Sequence, residues 1–282
     1  MLPSLLTKKE EKMILSDLFK TFGRAIIPAN FLMNRASRRL HSSTRYKPHK
    51  KLFCADDGDA KIVFYSPRRA GRYMKTGGIN QVYRNMISKY VPEFFELSAT
   101  STVIDVGANV GEFAMAIAPQ VGQVIAFEPD KVAYAALKEN VAFTEGVLVP
   151  YNVGLSDKTG VNTLFVASDT ADTSFITPPQ YIRTEEVETY SLIDFVKEKK
   201  INIEQVALIK IEAEGYEPEV LKGCFPHLRV KYYSVNCDPE RLGQSPINDV
   251  CRILEDNGYV VYTDRFKAYG ILRETVEESL EQ

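Results

Sequence analysis

From residue 102 onward the chain alternates short apolar runs with helix-period stretches. Runs at 102–106, 124–127, 147–151, 206–211 and 232–235 have the length and the Val, Ile, Leu, Phe and Tyr content of strands. Helical patterns lie at 111–118, 130–143, 217–223 and 246–257, and two last strands are predicted at 259–263 and 269–272. This rhythm predicts parallel βαβ units and a doubly wound sheet with helices on both faces. Residues 161–166 and 185–190 read as an inserted hairpin. Ser191, with Asp194 three residues later, has the pattern of a capping box opening another helix.

Upstream the pattern differs. Leu15, Leu18, Phe19, Phe22 and Ile26 fall on one face of a helix that Pro28 ends. The first 50 residues carry eleven Lys and Arg against three acids, so that helix is basic as well as amphipathic. It can lie on an anionic membrane surface or grip a partner. Packing of its apolar stripe on the body of the protein, as an N-terminal cap, is the preferred reading. Residues 35–50 show little periodicity and read as a flexible basic linker. Asp56-Asp57-Gly58-Asp59 is a turn signal before a strand at 62–65, and a helical pattern follows through Val82, Met86 and Tyr90. The expected organisation is a basic extension and linker over 1–50, a hairpin and helix over 51–100, and an α/β domain over 101–282.

Composition narrows the function classes. Lys and Arg number 35 and Asp and Glu 37, a net charge of −2 that predicts no general attraction to nucleic acid or acidic membranes. The longest apolar runs, 113–118 and 132–137, are far short of the roughly 20 residues of a bilayer span. Cys54, Cys224, Cys237 and Cys251 form no CxxC pair, and His41, His49 and His227 are not at ligand spacing from them. No zinc site and no disulfide framework are expected, and free thiols suit a reducing compartment. The first 25 residues lack the pattern of a secretory signal, so a cytoplasmic location is expected.

In a doubly wound sheet ligands bind outside the carboxyl ends of the strands. There the first strand runs into Asp105-Val106-Gly107-Ala108-Asn109-Val110-Gly111, where the glycines allow a tight turn and close backbone approach. Glu128 ends the second strand, in Phe127-Glu128-Pro129, where a carboxylate can accept bonds from both ribose hydroxyls. A dinucleotide fingerprint wants three glycines, but Asn109 and Glu112 occupy its second and third places. A carboxylate in the first helical turn is a poor neighbour for pyrophosphate, and Asp105 suits a ligand bearing an ammonium. S-adenosylmethionine carries an ammonium, a sulfonium and a ribose without phosphate, so the pattern favours it over NAD. No GK[ST] follows the glycines, which excludes a Walker loop.

These stretches are similar to the FkbM-type methyltransferases. Asn152-Val153-Gly154-Leu155-Ser156-Asp157 resembles that family's third-strand exit, and Ile209-Lys210-Ile211-Glu212-Ala213-Glu214-Gly215-Tyr216-Glu217 its fourth-strand signature. The resemblance spans roughly residues 80–263. It implies a Rossmann-like, seven-stranded class I methyltransferase fold, S-adenosylmethionine as donor, and O-methylation of a small-molecule or sugar hydroxyl. By position, Asp105, Gly107, Asn109 and Gly111 would line the donor, Glu128 would hold the ribose, and Ser156 and Asp157 would lie near the adenine. Glu212 stands where the family usually has Asp, Ala114 where a small hydroxyl residue is common, and Asn236 where an acid is expected.

Methyl transfer to a hydroxyl calls for alignment of donor and acceptor and a general base. Glu212 and Glu214, at the carboxyl end of the fourth strand, are the candidate bases. Either could instead hydrogen-bond the donor ammonium or a backbone turn. Glu212, Glu214 and Asp238 could also ligate a divalent cation, although no dense carboxylate run supports that and no metal is expected. Arg68, Arg69 and Arg72 read as a solvated loop. A nucleic-acid substrate is not expected: the near match Thr177-Pro178-Pro179-Gln180-Tyr181 to the tetrad of base-methylating enzymes has the wrong first residue and precedes the fourth strand. A nicotinamide oxidoreductase and a non-catalytic cofactor-binding scaffold on the same fold are the rival readings. Acceptor choice is expected to reside in the N-terminal region and the 161–190 insertion.

Overall fold

The computed structural model describes residues 28–168 and 173–280. The amphipathic pattern over 15–26 lies outside the described residues. The chain forms two compact units that divide after Asn85.

The first unit contains α1 (Ala29–Arg39), β1 (Arg45–His49), β2 (Leu52–Asp56), β3 (Lys61–Phe64), α2 (Ala70–Thr76) and the start of α3 (Ile79–Tyr90). The strands form an antiparallel sheet in the order β1-β2-β3. Its second turn forms where the Asp-Asp-Gly-Asp signal stands: the Asp56 carboxylate accepts the Gly58 N–H at 2.9 Å, and Gly58 takes φ 93°. Residues 35–50 are not a linker. Asn34 of α1 donates to the Tyr46 carbonyl at 2.8 Å and accepts the Tyr46 N–H at 2.9 Å, which ties α1 to β1. The strand left little mark in the sequence because Tyr46 is the one buried side chain on it and Pro48 marks it as an edge. The three arginines are not in a loop either. Pro67–Arg69 form a 3-10 turn capped by Ser66, Arg72 lies on α2, and Arg69 is buried.

The second unit follows the predicted alternation. Its elements are β4 (Thr102–Val106), α4 (Glu112–Ile117), β5 (Gln123–Phe127), α5 (Lys131–Asn140), β6 (Leu148–Tyr151), β7 (Gly154–Leu155), β8 (Gly160–Val166), β9 (Thr173–Ser174) and β10 (Arg183–Tyr190). After these come α6 (Leu192–Lys199), β11 (Val206–Ile211), α7 (Glu217–Lys222), β12 (Tyr232–Asn236), α8 (Ile247–Asp256), β13 (Tyr259–Asp264), β14 (Lys267–Leu272) and α9 (Arg273–Leu280).

The main sheet has seven strands in the order β13-β14-β12-β11-β4-β5-β6. Strands β6, β5, β4, β11 and β12 run parallel, and β14 lies antiparallel between β12 and β13. The connection from β13 to β14 is too short for a parallel crossover, so those strands pair as a hairpin. This is the Rossmann-like, seven-stranded arrangement that the resemblance implies. The 161–190 insertion is a separate four-stranded sheet, in the order β7-β10-β8-β9.

Strand alternation sorts the main sheet's side chains. Ile104, Val106, Ile125, Phe127, Ile209 and Ile211 join one core with Phe195 of α6, Leu221 of α7 and Leu254 of α8. Asp105 and Lys210 alternate with them and point to the opposite face. Helix starts follow local chemistry: Asp130 caps α5 by accepting the Val132 and Ala133 N–H groups at 2.6 and 3.1 Å. At α6 the box is one-sided. Ser191 Oγ accepts the Asp194 N–H at 3.1 Å, but the Asp194 carboxylate accepts from Thr159 instead of reaching back.

Candidate active site

The strand order reverses between β4 and β11, and a crevice for ligands lies outside the carboxyl ends of such a pair. Both predicted loops, 105–111 and 212–217, emerge there. They interlock. Gly107 takes φ 71°, and a Cβ on it would lie 1.8 Å from the Glu212 carbonyl oxygen. The Glu212 N–H in turn donates to the Val106 carbonyl at 3.1 Å.

The glycine turn is hydrogen-bonded throughout. Gly107 and Ala108 N–H groups donate to the Phe127 carbonyl at 3.1 and 3.0 Å. The Asn109 N–H donates to Glu128 Oε2 at 2.7 Å. Asn109 itself has φ 51°, and its side-chain oxygen accepts the Val110 N–H at 2.9 Å. Gly111, at φ 91°, precedes α4, and a Cβ there would meet Leu137 at 2.7 Å.

Glu128 is buried at the end of β5. Its second oxygen accepts the Asp130 N–H at 2.8 Å, and Asn152 donates to the Glu128 and Pro129 carbonyls at 2.9 and 3.0 Å. Each carboxylate oxygen thus has one N–H partner and a free acceptor position. Burial pushes this carboxyl up to about 7, against the two N–H bonds that favour its charge.

Asp105, placed by its sequence position on the donor side, is fully buried and faces Lys210, its register partner on β11. Lys210 Nζ stands 2.9 Å from Asp105 Oδ1 and 3.6 Å from Glu212 Oε2, and donates to the Val106 and Gly107 carbonyls at 3.2 Å each. Burial opposes the Lys210 charge, but Asp105 and Glu212 outweigh it and hold the ammonium above its ordinary value.

Glu212 also accepts from Lys89 of α3 at 2.9 Å. Desolvation would raise its carboxyl, yet Lys210 and Lys89 hold it down at about 2. Glu214 has a left-handed backbone, φ 51°, and its carbonyl accepts from Ser174 of β9 at 2.9 Å. Nearby, partial desolvation raises the Glu240 carboxyl, Glu214 beside it opposes the rise, and Asp238 and Glu212 add to it. Glu217, fully buried, accepts the Ala213 and Gly215 N–H groups at 2.8 and 3.2 Å and so shapes this loop. Its other oxygen has no hydrogen-bond partner, and burial pushes the carboxyl up to about 7.

Ser156 and Asp157 follow β7. Ser156 Oγ lies 3.0 Å from Asp157 Oδ1 and 3.1 Å from the Tyr216 hydroxyl, joining the third-strand exit to the fourth. Asn236 donates to Asp238 at 2.9 Å. Among the described residues no group of three His, Cys, Asp or Glu side chains is arranged to hold a metal ion, and no helix is long and apolar enough to cross a membrane.

Lys210 and Glu217 lie within the fourth-strand signature, which by itself assigns neither a role, and Lys89 and Glu240 lie in no motif. Lys210 did carry a signal: it is the one charge in the otherwise apolar run Val206-Ala207-Leu208-Ile209-Lys210-Ile211. Lys89 and Glu240 carried none, because their importance comes from partners remote in the chain.

A family model of the methyltransferase FkbM domain matches residues 105–261, more than half of the chain. Methyltransferase sdnD of Sordaria araneosa is 24% identical over 217 residues, covering 65% of this chain and 83% of its own length. Hexuronic acid methyltransferase AglP of Haloferax volcanii is 31% identical over 121 residues, covering 42% of this chain and 48% of its own. The crystal structure of methyltransferase FkbM from Methylobacillus flagellatus is similar with a TM-score of 0.47 and 15% identity, over 73% of this chain and 54% of that one. The chain therefore spans about half the length of the last two. With the matched residues running from Asp105 through both interlocked loops, the chain belongs to the FkbM methyltransferase family.

Proposed function

We propose that the protein transfers a methyl group from S-adenosylmethionine to a hydroxyl of a small molecule or sugar. The observation that carries this reading is Glu128, a buried carboxylate with one acceptor position left on each oxygen at the mouth of a glycine turn. That pair of acceptors fits the two hydroxyls of a ribose diol. The buried Glu112 in the first turn of α4 disfavours a pyrophosphate there. The hexuronic acid named for one relative supports a sugar acceptor. Free thiols at all four cysteines support a reducing, cytoplasmic setting.

S-adenosylmethionine, when bound, supplies a methyl already activated on sulfonium, so the protein's work is to align, shield and remove a proton. Gly107, Asn109 and Gly111 shape the turn beside the donor, Glu128 holds its ribose, and Ser156 and Asp157 border the adenine. Asp105 acts through Lys210, which already meets its charge. Glu212, held ionised by two ammonium groups, is a weak proton acceptor and orients Lys89. Glu214, on the loop after β11, takes the acceptor's proton.

Calorimetric titration of wild type and Glu128→Ala with S-adenosylmethionine, S-adenosylhomocysteine and NAD tests the reading. Both sulfur ligands should bind wild type and NAD should not. Loss of two charge-assisted hydrogen bonds should weaken the mutant by about a hundredfold or more. Folded wild-type protein that binds neither sulfur ligand would sink the proposal.

A further inference from the structure

The unusual group in the second unit is the Lys210 ammonium. It is 2% exposed, near the carboxyl end of an apolar parallel strand, beside a fully buried carboxylate. A buried ion pair is weak evidence for stability, because apolar residues of similar volume commonly serve as well or better. Another reason for the charge is visible in where its protons go. An ammonium has three donors. Here two of them go to the carbonyls of Val106 and Gly107, at 3.2 Å each, while Asp105 Oδ1 stands 2.9 Å away as the ion-pair partner. Glu212 Oε2, at 3.6 Å, adds attraction at longer range. The rings of Tyr90 and Phe113, with centroids at 5.2 and 6.0 Å, close over the group as cation–π neighbours.

The glycine turn is therefore gripped from two sides. Its N–H groups run to the Phe127 carbonyl and Glu128, and its first two carbonyls run to Lys210. Glu128 holds the side that the donor reading assigns to the ribose. Lys210 holds the other and, unlike Glu128, also reaches toward Glu212 on the neighbouring loop.

We infer that Lys210 is a positioning residue of the donor site, whose ammonium fixes the Val106 and Gly107 carbonyls so that the glycine turn and the Glu212 loop keep one arrangement for the donor. This inference rests on the S-adenosylmethionine reading above. Asp105 then serves to keep Lys210 charged and aimed, rather than to meet the ligand. Lys210 touches neither donor nor acceptor in this scheme and acts through the backbone it holds.

The test compares wild type, Lys210→Met and the double variant Asp105→Asn/Lys210→Met, using S-adenosylhomocysteine binding by calorimetry and thermal unfolding of each. Lys210→Met strands a buried carboxylate and is expected to lose stability. The double variant removes both charges and is expected to recover most of the melting temperature. If Lys210 positions the turn, the folded double variant still binds S-adenosylhomocysteine more weakly by about fivefold or more, since a bond to a charged donor is lost at each carbonyl. A smaller loss in that variant overturns the inference, because Lys210 then does no more than neutralise Asp105. Wild-type protein that binds no S-adenosylhomocysteine overturns the donor reading itself, a result distinct from normal wild-type and double-variant binding.

Discussion

The carbonyl oxygen of Glu212 occupies the space that a side chain on Gly107 would need. An ideal Cβ would sit 1.8 Å from it, and Gly107 has φ 71°. The glycine turn and the loop that carries the candidate base can approach this closely because one residue has no side chain. Both obstacles to substitution are backbone, so neither yields to a rotamer change.

Gly107→Ala is accordingly expected to destabilise the protein by about 3 kcal/mol or more, from strain in a left-handed conformation plus displacement of the Glu212 loop. Gly160, where nothing lies within 4 Å of an added Cβ, is the control; its change to Ala should stay within about 0.5 kcal/mol. Denaturant unfolding of the two variants checks this. Equal stability for both would show that the two loops are not pressed together.

Stability should fall as pH rises from about 4.5 to about 7. Burial raises both Glu128 and Glu217 to about 7 from the ordinary 4.5, so the folded state binds these protons more tightly than the unfolded chain. Their contribution is complete below the unfolded value and is lost as pH climbs through the folded one. Glu212 has the opposite sign: at about 2 in the folded state, its contribution is present above 4.5 and is lost as pH falls. Melting temperature measured across this range for wild type and Glu217→Gln should show a shallower decline in the variant. An unchanged slope would remove Glu217 from the explanation.

The two candidate bases should separate kinetically. Glu214→Gln removes the proposed proton acceptor and should lower kcat by about 10² to 10⁴, with little change in the donor KM. Glu212→Gln keeps an acceptor oxygen for Lys89 and should cost about tenfold or less in kcat. Methyl turnover at saturating donor ranks them. A larger loss from Glu212→Gln would make Glu212 the base in spite of its two lysines.

Much of this architecture was legible from residue order. Asp130 and Ser191 start helices because a side-chain oxygen lies where free N–H groups need it, and such chemistry spans two or three residues. The central strands β4, β5, β11 and β12 were readable because burial on both faces makes them nearly continuous apolar runs. The placement of Glu128 followed from a single strand end. Strand β1 was missed for the converse reason: one buried tyrosine and an edge proline leave no alternation to read.

The chemistry of the carboxylates is a different matter. Asp105, Glu128, Glu212, Glu214 and Glu217 all stand at strand or loop ends in the sequence, and nothing in their order tells one role from another. The register that sets Lys210 opposite Asp105 joins strands far apart in the chain, and it removes Asp105 from contact with solvent. Lys89 arrives from a helix outside the motif and, with Lys210, holds Glu212 ionised. Local patterns set where these groups lie along the fold because backbone hydrogen bonding and helix capping act over a few residues. Proton affinity depends on burial and on charges a few ångströms away, and those distances exist only once the strands have paired.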